Sequence, residues 1–214
     1  MNFNRLAPHY DWLEAVTAGH RLQRARTQWL DTLAGCRRVL SIGEGHGRFA
    51  AACLKQLPHI ELTCIEASSG MITVAQQRTR PWQDRVRWEC EDVLTWQPTQ
   101  KFDAIVTCFF LDCFPPETLD AVIKHLADAA EENAIWLITD FAVPNSGLAR
   151  SRAKLIHALM YAFFRVVTAL PARRQTAPDG LLMQHGFKLT QRRGFEWGLL
   201  RSDVWCQGSP SLLL

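Results

Sequence analysis

The sequence predicts an α/β fold: a Rossmann-like seven-stranded sheet, mostly parallel with a C-terminal antiparallel hairpin, and helices on both faces. Short apolar runs of strand length alternate with stretches whose apolar residues recur at helical spacing, the pattern of parallel strands joined by crossover helices. The first run, Arg38-Val39-Leu40-Ser41-Ile42, meets glycines at alternate positions, Gly43, Gly45 and Gly47, just before a helical stretch opens at Phe49. Glycine is what a backbone needs where it turns at positive φ or passes close to a ligand. Near the C-terminus, residues 187–195 and 199–206 are two strand-like runs separated only by Glu196-Trp197-Gly198, a connection short enough to require antiparallel pairing.

Taken in order, residues 3–33 are expected to be helical, with Tyr10, Leu13, Leu22 and Leu30 inward and Arg21, Arg24 and Arg26 as a basic set. One of these arginines could reach a cofactor carboxylate as a forked donor. After the first strand at 38–42 and a helix at 49–57, Pro58 and His59 break the pattern, and residues 60–65 form the second strand. Ser68 and Ser69 start a helix running through Met71, Val74 and Ala75. Residues 86–90, 102–109 and 134–141 are the third, fourth and fifth strands. Pro115 and Pro116 open a helix to about residue 130, with Glu117 in its first turn, where the helix dipole favours an acid. Residues 148–170 form an unusually apolar helix dotted with Arg150, Arg152, Lys154, His157 and Arg165. Arg173-Arg174 and Pro178-Asp179-Gly180 form a linker, and 181–186 a short helix stopped by Gly186.

At 214 residues the chain suits one α/β domain with a full core. The reading is a helical extension at 1–35, the main domain at 36–207 with a helical lid inserted at about 145–185, and a tail at 208–214. With 24 Lys and Arg against 21 Asp and Glu the net charge is +3, which gives no support to nucleic-acid binding. Seven cysteines, embedded in apolar runs and without a C-x-x-C pair, look like reduced core residues of a cytoplasmic protein. No run reaches the length a membrane span requires, and no cluster has metal-ligand spacing, so no metal is expected.

Charges bear on the cofactor. Arg48 stands where a dinucleotide fingerprint has its third small residue, and Glu44 inside the turn would repel a pyrophosphate. A carboxylate there suits a cation instead, which favours S-adenosylmethionine, with its sulfonium and ammonium, over NAD. Glu66, about 20 residues beyond the turn, has the spacing of an acid that accepts from a ribose diol, or is a surface acid capping the next helix. Met71 is placed to lie under an adenine or in the core. Asp92-Val93, just past a strand, could bind the adenine amine and cover the ring, or form a plain turn. The fourth strand delivers Cys108, Phe109, Phe110, Leu111 and Asp112 to the carboxyl edge of the sheet, where ligands of such folds bind. Asp112 is the candidate to face a substrate; its alternative is capping the turn before Pro115. His157 and Tyr161 lie one turn apart on the apolar helix, with His157 the second choice of base. That helix could be a lid, a peripheral membrane contact, a homodimer face or simple core packing.

Assembled, these residues resemble the class I S-adenosylmethionine-dependent methyltransferases, and are most similar to the small-molecule branch that includes the ubiquinone and menaquinone C-methyltransferases. The resemblance spans roughly residues 38–207. It implies cofactor binding by Gly43, Glu44, Gly45, Gly47, Glu66, Ala67, Met71, Asp92, Val93, Cys108 and Phe109, and by Tyr10 of the N-terminal Tyr10-Asp11 pair. The family often has an acid two residues before the first glycine; Ser41 stands there, and Glu44 could do that polar work from inside the loop. The Asn/Asp-Pro-Pro-Tyr signature of amino-directed nucleic-acid methylation is replaced by Cys108-Phe109-Phe110-Leu111. The implied reaction is methyl transfer from S-adenosylmethionine to a small, apolar or aromatic acceptor, with Asp112 as the base if one is needed. The alternatives are a cofactor-binding scaffold without turnover and, less well supported, an NAD-linked oxidoreductase.

Overall fold

In the computed structural model, residues 19–144, 146–168 and 176–208 are described, the side chains of 161–168 excepted. The expectations for Tyr10 and the rest of 3–18, for 169–175, for the Tyr161 side chain and for the tail at 209–214 lie outside them.

The sheet has seven strands: β1 (Arg38–Ile42), β2 (Glu61–Ile65), β3 (Val86–Glu89), β4 (Phe102–Cys108), β5 (Ala130–Phe141), β6 (Phe187–Phe195) and β7 (Leu200–Gln207). Their spatial order is β3-β2-β1-β4-β5-β7-β6. The first five pair in parallel, and β7 pairs antiparallel with both β5 and β6. This is the predicted architecture, with the last strand inserted between the fifth and the sixth.

Both faces of the central strands are apolar because both are covered. On one face α4 (Pro116–Asp128) sets Leu119, Val122, Ile123 and Leu126 against a core containing Leu40, Ile105, Trp136 and Ile138. On the other, α2 (Arg48–Gln56) brings Phe49, Ala50, Cys53 and Leu54 into a core with Val39, Leu62, Ala104 and Val106. The remaining helices are α1 (Gly19–Arg26), α3 (Ser69–Thr79), α5 (Gly147–Thr168) and α6 (Asp179–Gln184).

Three expectations need correction. The N-terminal helix does not run unbroken to residue 33: α1 stops at Arg26, and a 3-10 turn, Leu30–Gly35, follows. The corner lets Leu30 and Leu33 both enter the core, and the Trp29 indole N–H anchors it to the Ser202 carbonyl at 3.0 Å. The fifth strand starts at Ala130 rather than 134, and α4 ends correspondingly early. A register shift opposite Phe102 and Ala104, with Asn133 at φ 67°, absorbs the extra residues, and asparagine tolerates that left-handed geometry better than most. The short helix spans Asp179–Gln184, beginning earlier than 181 because Pro178 already has helical dihedrals.

Candidate functional site

The site is built where β1, β2 and β4 end. Gly43, Gly45 and Gly47 all have positive φ (64°, 64° and 81°), so the chain folds over the end of β1 as a left-handed loop. Each glycine answers a different need. A Cβ on Gly43 would lie 2.2 Å from the Phe110 ring, and one on Gly47 would lie 2.8 Å from the Ala75 Cβ, whereas Gly45 faces open space. Gly43 and Gly45 therefore front the cleft, while Gly47, expected to bind cofactor, instead lets α2 pack closely on α3 and does not line the cleft.

Glu66 stands at the end of β2, buried, as a wall of that cleft. Its Oε2 accepts from the Gly45 N–H at 3.0 Å and its Oε1 from the Ser68 N–H at 2.9 Å. Ser68 rather than Glu66 caps α3, accepting from the Met71 N–H, so the capping alternative for Glu66 falls away. Burial raises the Glu66 pKa, against the lowering effect of the Ser68, Gly45 and Ala67 amides. Three amides on about four acceptor sites leave the carboxylate room for a ligand hydroxyl.

Glu44 behaves differently from expectation. Its Oε2 accepts from the Ser41 hydroxyl at 2.5 Å and its Oε1 from the Ala50 N–H at 2.8 Å. The carboxylate therefore braces the loop to the start of α2 rather than reaching for a ligand cation, and burial pushes its pKa up to about 6.

Ala67, Met71, Asp92 and Val93 line the same cleft, as expected. Met71 and Val93 are buried apolar surfaces, while exposed Asp92 accepts the Leu94 N–H on Oδ1 at 3.0 Å. After β4 the chain supplies Cys108 and Phe109. Phe109 sits at φ 55°, a costly geometry for a bulky residue. It is held there by its N–H on the Thr139 carbonyl at 2.7 Å and by its ring against Phe141, with centroids 5.2 Å apart.

Asp112 is set back from the cleft. It is buried but does not line the cleft; its neighbours Cys113 and Phe114 do. Its carboxyl is hydrogen-bonded to Asp140 at the end of β5, and burial raises both pKa values, that of Asp140 further because Asp112 faces it. Asp140 Oδ1 accepts from the Phe110 N–H at 3.2 Å, so the pair supports the loop after β4 from below. His157 of α5 is also outside the cleft, its ring edge-on to Phe141 at 5.6 Å and its pKa lowered by burial.

Several site residues were not singled out in the sequence. Arg26, only one of three arginines in the basic set, is the one that enters the cleft, its guanidinium 4.9 Å from the Phe109 ring centroid. His46 lines the loop side, accepting from Arg48 Nε at 2.9 Å. Phe110, Cys113 and Phe114 line it too, the Phe110 ring seated against Gly43. The run of aromatics after the fourth strand was the available signal for these; nothing local distinguished Arg26 from Arg24.

The strand order and pairing match the Rossmann-like fold seen in methyltransferases. Residues 39–133, just under half the chain and the part that carries the glycine loop and Glu66, match the family model described as methyltransferase domain. The chain is 33% identical over 129 residues to malonyl-[acyl-carrier protein] O-methyltransferase of Paenibacillus sp. (strain JDR-2), covering 56% of this chain and 45% of that protein. It is 30% identical over 80 residues to the tRNA1(Val) (adenine(37)-N6)-methyltransferase of Vibrio cholerae serotype O1 (strain M66-2), covering 36% and 31%. The chain thus spans less than half the length of these curated relatives. Among solved structures it is similar to the mitomycin 7-O-methyltransferase MmcR, with a TM-score of 0.74, 18% identity, and coverage of 96% of this chain and 60% of that one. It is similar also to the N-methyltransferase NodS from Bradyrhizobium japonicum WM9 in complex with S-adenosyl-L-homocysteine, with a TM-score of 0.62, 18% identity and 88% coverage of each chain.

Proposed function

We propose that this protein transfers a methyl group from S-adenosylmethionine to a small acceptor that presents an apolar or aromatic face, in the cytoplasm. The observation that carries the reading is Glu66, fastened by two backbone amides at the wall of a cleft whose floor is the glycine loop. Such a carboxylate is preorganised to accept from a ribose diol without further rearrangement. Asp92 and Val93 serve the adenine amine and ring, with Met71 on the same wall. Arg26 offers a cation for the methionine carboxylate, and the open side of Gly45 admits the ligand backbone to backbone.

Bound there, S-adenosylmethionine supplies a methyl group already activated on a sulfonium. The chain's own contribution is position and dryness. Phe109, Phe110, Cys113 and Phe114 give the cleft an apolar wall that excludes water and leaves an acceptor to be oriented by shape. An acceptor that arrives already nucleophilic needs no base from the chain, and Asp112 acts by positioning the Phe109–Cys113 segment. The likeness to ubiquinone and menaquinone C-methyltransferases belongs with this aromatic wall. The tRNA-modifying relatives match between 76 and 121 residues, less than half of their own length, and do not bring their acceptor with them.

Titration calorimetry with S-adenosylmethionine and S-adenosylhomocysteine tests the reading. Glu66→Ala is expected to weaken both by about 10- to 100-fold, the worth of charge-assisted hydrogen bonds to a buried carboxylate; unchanged affinity removes the assigned role. Formation of S-adenosylhomocysteine with an aromatic acceptor distinguishes an enzyme from a cofactor-binding scaffold, and competition by NAD would point to an oxidoreductase instead.

A further inference from the structure

Helix α5 has two unlike sides. Ala153 and His157 are buried, and the His157 ring rests on Phe141, which in turn packs on Phe109 in the cleft wall. Across the helix, Leu148, Leu155 and Leu159 are 88%, 63% and 65% exposed. Spacings of seven and four residues place all three along one line of the helix surface. Arg152 falls on the same line, while Lys154 is exposed on the flank of the helix, roughly 100° or more round from the leucines. Trp197, 80% exposed in the turn before β7, stands next to the Arg152 guanidinium, 5.9 Å from its ring centroid.

The charge on this surface has one sign. The 22 residues of α5 include three arginines and a lysine and no Asp or Glu. The acid of the neighbouring turn, Glu196, is paired with Arg21 at 2.6 Å. Exposed leucines, a tryptophan and an arginine on one ridge, with a lysine on its flank and no acid in the helix, match the two layers of an anionic bilayer surface, apolar chains beneath phosphates. A second copy of the chain fits less well, because a symmetric contact would set Arg152 and Lys154 against their own counterparts. A nucleic acid would leave the leucines uncovered.

We propose that the outer face of α5, with Trp197, docks on anionic membrane surfaces. Leu148, Leu155, Leu159 and Trp197 enter the headgroup region, Arg152 meets the phosphates, and Lys154 adds positive charge from the flank. Docking turns the helix whose inner face supports the cleft's phenylalanine wall toward the bilayer, which fits a lipid-like acceptor; that last step rests on the methyl-transfer reading, whereas membrane binding does not.

Co-sedimentation of the full chain with vesicles tests the docking, without cofactor or acceptor. Phosphatidylcholine vesicles are compared with vesicles that also contain phosphatidylglycerol, at low and high salt. The expected result is binding to the anionic vesicles only, weakened by salt, and lowered about tenfold or more in Leu155→Glu/Leu159→Glu. Both positions are exposed, so melting temperature and S-adenosylhomocysteine affinity should match the parent and show the variant folded. Parent protein remaining in the supernatant, equal binding to neutral vesicles, or equal binding by the variant overturns the proposal. So does a dimer in sedimentation velocity that the double variant disperses in the absence of vesicle binding, which would make this face a contact between copies.

Discussion

Gly43, Gly45 and Gly47 share a left-handed backbone, yet their surroundings separate them. Gly43→Ala must displace a Phe110 ring that is packed edge-on against Phe114 at 5.1 Å, in addition to adopting positive φ. The expected cost is about 3 kcal/mol, strain plus overpacking, together with weakened cofactor binding. Gly45→Ala meets open space and carries only the backbone strain, about 1 kcal/mol. Denaturant unfolding of the two variants checks the ranking; equal costs would mean that Phe110 is not seated on Gly43. At this scale the sequence showed that glycine was needed three times in five residues. It could not show that one met a ring, one open space at the cleft and one a helix contact, because those neighbours come from residues 110 and 75.

The C-terminal elements are tied by a ring of charges. Arg192 grips Asp203 with two nitrogens, Nε and Nη2, each at 2.8 Å, and reaches Asp179 at 2.6 Å. Arg201 meets Asp179 at 2.6 Å and Asp203 at 3.4 Å. Together they link β6, β7 and the first turn of α6. The Asp203 side chain is fully buried, with Arg201 only 12% exposed, so removing the acid strands a poorly solvated guanidinium. Asp203→Ala is expected to cost about 3 kcal/mol, near the lower end for a broken buried pair because Arg192 retains water. Chemical denaturation measures it, and a loss below about 1 kcal/mol would class the ring with ordinary surface pairs. The hairpin itself was legible from its short connection. The ring was not, since it depends on the antiparallel register that sets Arg192 opposite Asp203 and on the arrival of Asp179 from before β6.

For the whole molecule, buried carboxyls set the response to pH. Burial raises Glu44, Glu66, Asp112 and Asp140, whereas Asp179 is held low by Arg192 and Arg201 against the opposing effect of its burial. A carboxyl whose folded pKa exceeds its unfolded value binds its proton more tightly when folded, so its contribution is full below the unfolded pKa and is lost as pH rises through the folded one. For Glu44 that window runs from 4.5 to about 6, and the loss is about 2 kcal/mol. Asp179 works in reverse, stabilising above its unfolded pKa and less as pH falls. Glu44→Gln can keep both contacts, its carbonyl accepting from the Ala50 amide and its amide donating to Ser41. Its stability at pH 7.5 is therefore expected to equal or exceed the parent's, with a flatter profile between pH 4.5 and 6 in urea titrations; an unchanged profile would show that Glu44 does not titrate in that window.

The alternation of strands and helices, the glycine turn and the acid at the end of β2 were all present in the sequence by itself, because local periodicity and turn chemistry encode them within a few residues. That was enough to name a fold and a cofactor class. Tertiary structure alone decided that Arg26 enters the cleft and Arg24 does not, that Glu44 turns inward, and that Asp112 pairs with Asp140 behind the cleft wall rather than facing it. Each of those outcomes depends on a partner far along the chain and on which side of a strand or loop is buried, information that spacing between neighbours does not carry.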